Sequence, residues 1–185
     1  MPRLALHGRP GAGKSTLAGM LVEELCNAGA QPFRLKVGAP LYELQALVRA
    51  AAGRPLLNRD DQDGELLNCL GLQMRRINPA ALTDQFVLRV KQAEQLYPRA
   101  VLLCDDVRGP DADVVSGLGF RMVHVAAPDE VRRARKAGRR DLSAGDDNHP
   151  TEEPVTAGSW RCVENDGDLD ALRARAKSLV AEVLR

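Results

Sequence analysis

The sequence predicts an α/β fold, with three layers (α/β/α) built around a five-stranded parallel sheet. Three observations predict it. Strand-like runs alternate with segments of helical period over the 185 residues, in the order β-α-β-α-α-α-β-α-β-α-loop-β-α. That alternation implies parallel strands with helices on both faces. Ala100 to Cys104 is an unbroken apolar run, as expected of a strand covered on both sides. A glycine-rich turn, Gly8 to Ser15, stands between a short strand-like run and a helical one.

The elements follow in order. Arg3 to His7 reads as the first strand. The helix after the glycine-rich turn runs from about Lys14 to Ala28, with Leu17, Leu21, Val22 and Leu25 at helical spacing. Asn27-Ala28-Gly29 ends it. Pro32 to Val37 is the second strand, and Pro40 starts a helix that stops near Ala52, before Gly53-Arg54-Pro55. Residues 58–64 are an acidic link. Leu66, Leu67, Leu70, Met74 and Ile77 form the stripe of the next helix. Thr83-Asp84 is expected to cap another, whose apolar face is Phe86, Val87, Val90 and Leu96. After the third strand come a short helix from Asp111 to Leu118, a strand from Phe120 to Ala126, and a helix starting at Pro128. Residues 141–158 are a polar loop too long for an idle connection. Ser159 to Val163 is the last strand. A closing helix spans Asp168 to Leu184, with Leu169, Leu172, Leu179, Val180 and Val183 inward. One domain is expected over 1–185: a core (1–37, 98–131 and 159–185), an inserted helical cap at about 38–97, and a lid at about 132–158.

Composition narrows the functional classes. Aromatics are only 3% of the chain, so the core must be aliphatic. The formal net charge of +1 does not argue for nucleic acid or membrane as a partner. Cys26, Cys69, Cys104 and Cys162 lie far apart without metal-site spacing, and are expected to be reduced, buried thiols. No apolar run reaches the roughly 18 residues of a membrane span, and the N-terminal segment does not read as a signal peptide. A cytoplasmic protein is expected.

Gly8-Arg9-Pro10-Gly11-Ala12-Gly13-Lys14-Ser15 fits GxxxxGK[ST] in the strand–loop–helix context the motif requires. Gly11 and Gly13 allow the backbone N–H groups, Ala12 among them, to turn inward around a phosphate. The following helix adds its dipole. Lys14 is expected at the β/γ-phosphates, Ser15 on Mg²⁺ and Thr16 by the α-phosphate, which makes ATP and Mg²⁺ the expected cofactors. Asp105-Asp106-Val107-Arg108 follows the apolar strand, where parallel strands line a ligand crevice. Two carboxylates there suit metal binding through water and acceptance of a proton. Arg108 suits bidentate phosphate binding. Arg132, Arg133, Arg135, Lys136, Arg139 and Arg140 lead into the polar loop, where mobile arginines can stabilise charge on a transferred phosphoryl group. His7 and His124 read as structural.

Taken together, these segments resemble the deoxynucleoside monophosphate (dNMP) kinases of bacteriophages. That family shows a P-loop, an F-A-D-P-L-K-like segment after the second strand, L-L-Q-x-x-G with a downstream Arg, D-V-R after the third strand, an H-x-S-E-like lid motif, and N-D-G before the last helix. Here the corresponding stretches are Val37 to Glu43, Leu66 to Gly71 followed by Arg75 and Arg76, Asp106-Val107-Arg108, His149 to Glu152, and Asn165-Asp166-Gly167. Asn68 stands where the family has Gln, and Tyr42 where it has Lys. The resemblance implies a P-loop kinase fold and transfer of phosphate from ATP to a dNMP lying under the cap. It places the dNMP phosphate near Lys36, Arg75 or Arg76, and Arg108, and makes Tyr42, Asn68 and Glu152 further acceptor contacts. Asp105 or Asp106 would face the acceptor phosphate, Asp105 sharing the metal with Ser15. Arg132 and Arg139 would act from the lid, and Asn165 would lie by the adenine. The setting would be the host cytoplasm of a phage, and the sequence is compatible with a homodimer.

Two other classes stay open at this level. One is a P-loop kinase for another small acceptor, such as shikimate or dephospho-coenzyme A. The other is a nucleotide-dependent switch, though no N-K-x-D stretch for guanine is present.

Overall fold

The computed structural model describes residues 1–58, 61–138, 141–143, 155 and 158–185. The elements are β1 (Arg3–His7), α1 (Lys14–Asn27), β2 (Gln31–Leu35), α2 (Ala39–Ala51), α3 (Gly64–Ile77) and α4 (Ala81–Leu96). They continue with β3 (Ala100–Val107), a 3-10 turn (Gly109–Asp111) leading into α5 (Ala112–Gly117), β4 (Arg121–Ala126), α6 (Asp129–Ala137), β5 (Arg161–Glu164) and α7 (Leu169–Val183). The five strands form one sheet in the order β2-β3-β1-β4-β5, and every pairing is parallel.

Alternation along the strands divides the interior in two. Leu4, Leu6, Val101, Leu103, Val123 and Val125 pack with α1 and α7 through Leu17, Leu21, Leu172 and Leu179. On the opposite face, Ala5, Leu102, Cys104 and Met122 pack with α4 and α5 through Leu82, Phe86, Val90 and Val115. Each such leucine contributes about 1.5–3 kcal/mol on burial. Phe86 is 1% exposed and tilted against Phe120, and its truncation to alanine would cost about 3–5 kcal/mol. All strands being parallel, their carboxyl ends share one edge, and the loops carrying the site residues leave from it.

Several local expectations differ from the structure. β3 continues past Cys104 to Val107, so Asp105 and Asp106 lie within the strand. α4 begins at Ala81 with Ala80 at its N-cap; Thr83 is in its first turn and donates its hydroxyl to the Ala80 carbonyl at 3.1 Å. Because α4 buries Leu82, Phe86, Val90 and Ala93 against the sheet, it is a core helix, whereas α2 and α3 reach the same cluster through the partly buried Leu41 and Met74. Cys26, Cys69 and Cys162 are exposed, on outward helix faces and on the edge strand β5; only Cys104 is buried. Leu169, at the first turn of α7, is 64% exposed. Among the described residues no helix is long and apolar enough to cross a membrane.

Candidate functional site

The phosphate loop joins β1 to α1. Gly11 and Gly13 take φ of 84° and 97°, a region that costs any residue with a Cβ. Gly13 is also the N-cap of α1, and the first turn of α1 carries no acidic residue. The positive end of the helix is therefore left for an external anion. Ser15 and Thr16 are exposed at that end. Lys14 Nζ donates to the carbonyls of Gly8 at 2.6 Å and Arg9 at 3.3 Å.

The two carboxylates are not side by side. Within a strand, successive residues face opposite ways, and the partners differ accordingly. Asp105, almost fully buried, is gripped by Arg34 of β2 through Nε at 3.0 Å and through Nη2. Asp106 accepts the backbone N–H groups of Val37 at 2.8 Å and Gly38 at 2.9 Å, so it holds the start of α2. Burial, and then the charge of Asp105, raise the Asp106 carboxyl above its usual range, against the pull of the two N–H groups and Lys36. The expected pair facing an acceptor is thus replaced by two committed groups.

The basic and aromatic residues expected on the acceptor side do come together. Arg108 lies among Asp106, Tyr42, Asp111 and Arg75; burial lowers its pKa while Asp106, Tyr42 and Asp111 raise it. Arg75 crosses from α3 to the turn before α5 and grips both Asp111 oxygens, at 2.9 and 3.0 Å. Of the two arginines the sequence left open, Arg75 is the one turned to this cluster, and Arg76, one residue on, is exposed. Asn68 lies three and seven residues before Gly71 and Arg75, on their face of α3. Lys36 Nζ sits 4.7 Å from the centre of the Tyr42 ring. Burial, followed by Asp106, pushes the Tyr42 hydroxyl up to about 12.

A cavity of about 400 Å³ lies where the loop and this cluster meet; Gly8, Arg9, Arg108, His124 and Arg132 are among its walls. His7 is there too, stacked on His124 at 5.0 Å and hydrogen-bonded to Ser159 Oγ at 2.8 Å. A wider groove of about 1080 Å³ runs along β2 between α2 and α4, past Lys36, Tyr42 and Arg89.

Two residues expected to touch the nucleotide are hydrogen-bonded to carbonyls of the loop. Arg132 is 6% exposed, and donates to the Pro10 carbonyl at 2.9 Å and to Asp129 at 2.6 Å. It braces the core, because α6 packs directly against the loop. Asn165, also buried, donates to the Ala12 carbonyl at 2.8 Å. Arg139 and Glu152, with the rest of the expected lid motif, lie outside the described residues. Sequence reading missed Arg34 and Asp111, which fix Asp105 and Arg75, and it named Arg135 only among the lid arginines, not as the partner of Asn165. Nothing in their local sequence marks them, since each partner is distant along the chain.

The layers, strand order and glycine-rich loop define the three-layer α/β/α fold of the P-loop kinases. No protein-family model and no curated protein sequence matches the chain. Solved structures do match it. A sugar kinase from a Janibacter species is 16% identical with a TM-score of 0.55, over 99% of this chain and 95% of that one. A protein from Thermus thermophilus is 20% identical with a TM-score of 0.55, over 98% of both chains. A gluconokinase from Sinorhizobium meliloti is 16% identical with a TM-score of 0.52, over 98% of this chain and 92% of that one. At these identities the likeness is one of fold.

Proposed function

We propose that the protein transfers the γ-phosphoryl group of ATP to a phosphate acceptor, and that the acceptor is a deoxynucleoside monophosphate. One observation carries the choice of acceptor. Arg108 and Lys36 lie by Tyr42 on the side expected to take the acceptor, with Arg75 near Arg108 and paired with Asp111, while both nearby carboxylates are occupied, Asp105 by Arg34 and Asp106 by two backbone N–H groups. A hydroxyl acceptor needs a group to take its proton. A phosphate acceptor is already an anion and needs cations to screen it. The dNMP assignment rests further on the bacteriophage-kinase resemblance of the 66–71, 106–108 and 165–167 stretches.

On this reading an acceptor phosphate oxygen forms a bond to the γ-phosphorus as the bond to the β-phosphate oxygen breaks, releasing ADP. The loop N–H groups and Lys14 hold the nucleotide phosphates, and Arg108 aligns the acceptor. Ser15, exposed at the start of α1, suits Mg²⁺; among the described residues no group of three or more His, Cys, Asp or Glu side chains is placed to hold a metal, so the nucleotide's own oxygens would complete the coordination. The ion, when bound, screens the β- and γ-phosphate charge. Asp105 would have to release Arg34 to join it. A second reading, phosphorylation of a sugar or sugar acid, is favoured by the names of two structural neighbours.

The test is ADP release with ATP and Mg²⁺ against the four common dNMPs, the matching ribonucleotides, gluconate, shikimate and dephospho-coenzyme A. Turnover on one or more dNMPs supports the proposal and reads out base preference. Turnover on gluconate or shikimate alone overturns it.

A further inference from the structure

A phosphate-binding loop works only if its carbonyls turn outward, and outward carbonyls in a buried place need donors. Nearly every carbonyl of this loop has one. Gly8 O accepts from Lys14 at 2.6 Å and Arg9 O from the Ala12 N–H at 3.1 Å. Pro10 O accepts from Arg132 at 2.9 Å, Ala12 O from Asn165 at 2.8 Å, and Gly13 O from the Leu17 N–H at 2.9 Å. Two of these donors come from far along the chain, and both side chains are buried.

Each distant donor is itself held. Arg132 is fixed by Asp129 at 2.6 Å. Asn165 is fixed through its backbone N–H on Ala126 O at 2.7 Å, and by Arg135, which donates to Asn165 O at 3.2 Å and to Oδ1 at 3.3 Å. With Arg135 on the oxygen of the amide, the nitrogen must face Ala12, so a single orientation satisfies both ends. The fit is also steric. A Cβ at Gly13 would collide with Asn165 Nδ2, and one at Gly11 would lie 2.7 Å from Arg132 O.

We infer that Arg132 and Asn165 are positioning residues that hold the phosphate loop in its receiving shape before any ligand arrives, with Arg135 orienting the Asn165 amide. This rests on the P-loop reading for its functional meaning, though the loop-holding itself does not. It also makes α6, as far as Arg135, part of the loop's support.

Two variants test this. Asn165→Asp keeps size and keeps an oxygen for Arg135, but turns an acceptor toward the Ala12 carbonyl. Arg132→Met keeps bulk and loses the donor to Pro10. The first readout is amide hydrogen exchange over residues 10–15 in the ligand-free protein. The second is the calorimetric Kd for ATP with Mg²⁺, and the third is the melting temperature. Exchange in the loop should quicken at least tenfold while the strands of the sheet keep their protection. ATP should bind roughly 10–100-fold more weakly, with KM for the acceptor within about twofold of the parent. Unchanged loop exchange overturns the inference. So does faster exchange spread over the whole domain with a lowered melting temperature and unchanged ATP affinity, which would mark a merely structural role. A parent protein that fails to bind ATP while its variants still show the local exchange effect would sink the nucleotide reading and sustain the loop-holding one.

Discussion

Lys14 and His7 stand a few ångströms from the same loop and carry opposite consequences. Lys14 holds two loop carbonyls in this conformation and is, on the proposed reading, the cation offered to the nucleotide phosphates. Lys14→Ala should lower turnover by orders of magnitude, with an unchanged circular dichroism spectrum and melting temperature; a folded variant of near-parental activity refutes the loop's role. His7 is neutral in the fold, its pKa lowered from 6.5 to about 4, first by burial, then by the charges of His124 and Lys14. A depressed imidazole pKa means that the unfolded chain takes up the proton first. The stability is fully present above pH 6.5 and declines as pH falls toward 4, by on the order of 3 kcal/mol. In His7→Gln, which can still reach Ser159, unfolding free energy should vary less with pH between 6.5 and 4.5. Parallel curves for the two proteins would show that His7 titrates normally. The sequence offered both histidines as structural; their stacking depends on β1 and β4 being neighbours.

At the scale of elements, α2 has an unusual beginning. Its N-cap, Gly38, offers no side-chain oxygen, and Asp106 from β3 accepts the Val37 and Gly38 N–H groups in its place. This single carboxylate ties the sheet to the helix that presents Tyr42. Asp106→Asn leaves one acceptor and turns an N–H₂ toward a backbone N–H, at a cost of about 1–3 kcal/mol. Urea unfolding should show that loss, and KM for the acceptor should rise while ATP affinity stays put. An ATP-side defect alone would move Asp106 to another role. α3 is capped conventionally: Asp63 accepts from Leu66 N–H at 3.3 Å, and also takes the Ser143 hydroxyl at 2.6 Å and Arg49 at 2.8 Å. The Ser143 bond is the main reason its carboxyl stays below the usual range. Periodicity located α3, because its stripe is local. It did not foresee that Asp63 also ties residue 143 to the start of α3.

For the whole molecule, the decisive feature is that one edge of the sheet gathers the loop, Arg108 and the α3 arginine. Arg108→Ala should impair acceptor binding or turnover by about tenfold or more and leave the ATP Kd within about twofold, since Arg108 sits on the Tyr42–Arg75–Asp111 side. A defect confined to ATP would contradict that placement. Chelation of divalent ions should abolish ADP release and added Mg²⁺ restore it; activity that persists in excess chelator would remove the metal from the proposal.

The sequence by itself determined the alternating layers, the run of elements within a few residues, and the phosphate loop, because periodicity and glycine spacing are local properties. It also brought forward Lys36, Tyr42, Arg75 and Arg108. Only the tertiary structure decided which of these touch, and it redirected others. Arg132 and Asn165 hold carbonyls of the loop, and Asp105 and Asp106 part company because β3 runs three residues further than its apolar run suggests. The physical reason is the same in each case. In a parallel sheet the neighbours of a strand come from distant stretches of chain, so a charged side chain finds its partner by strand order and by the face it points to.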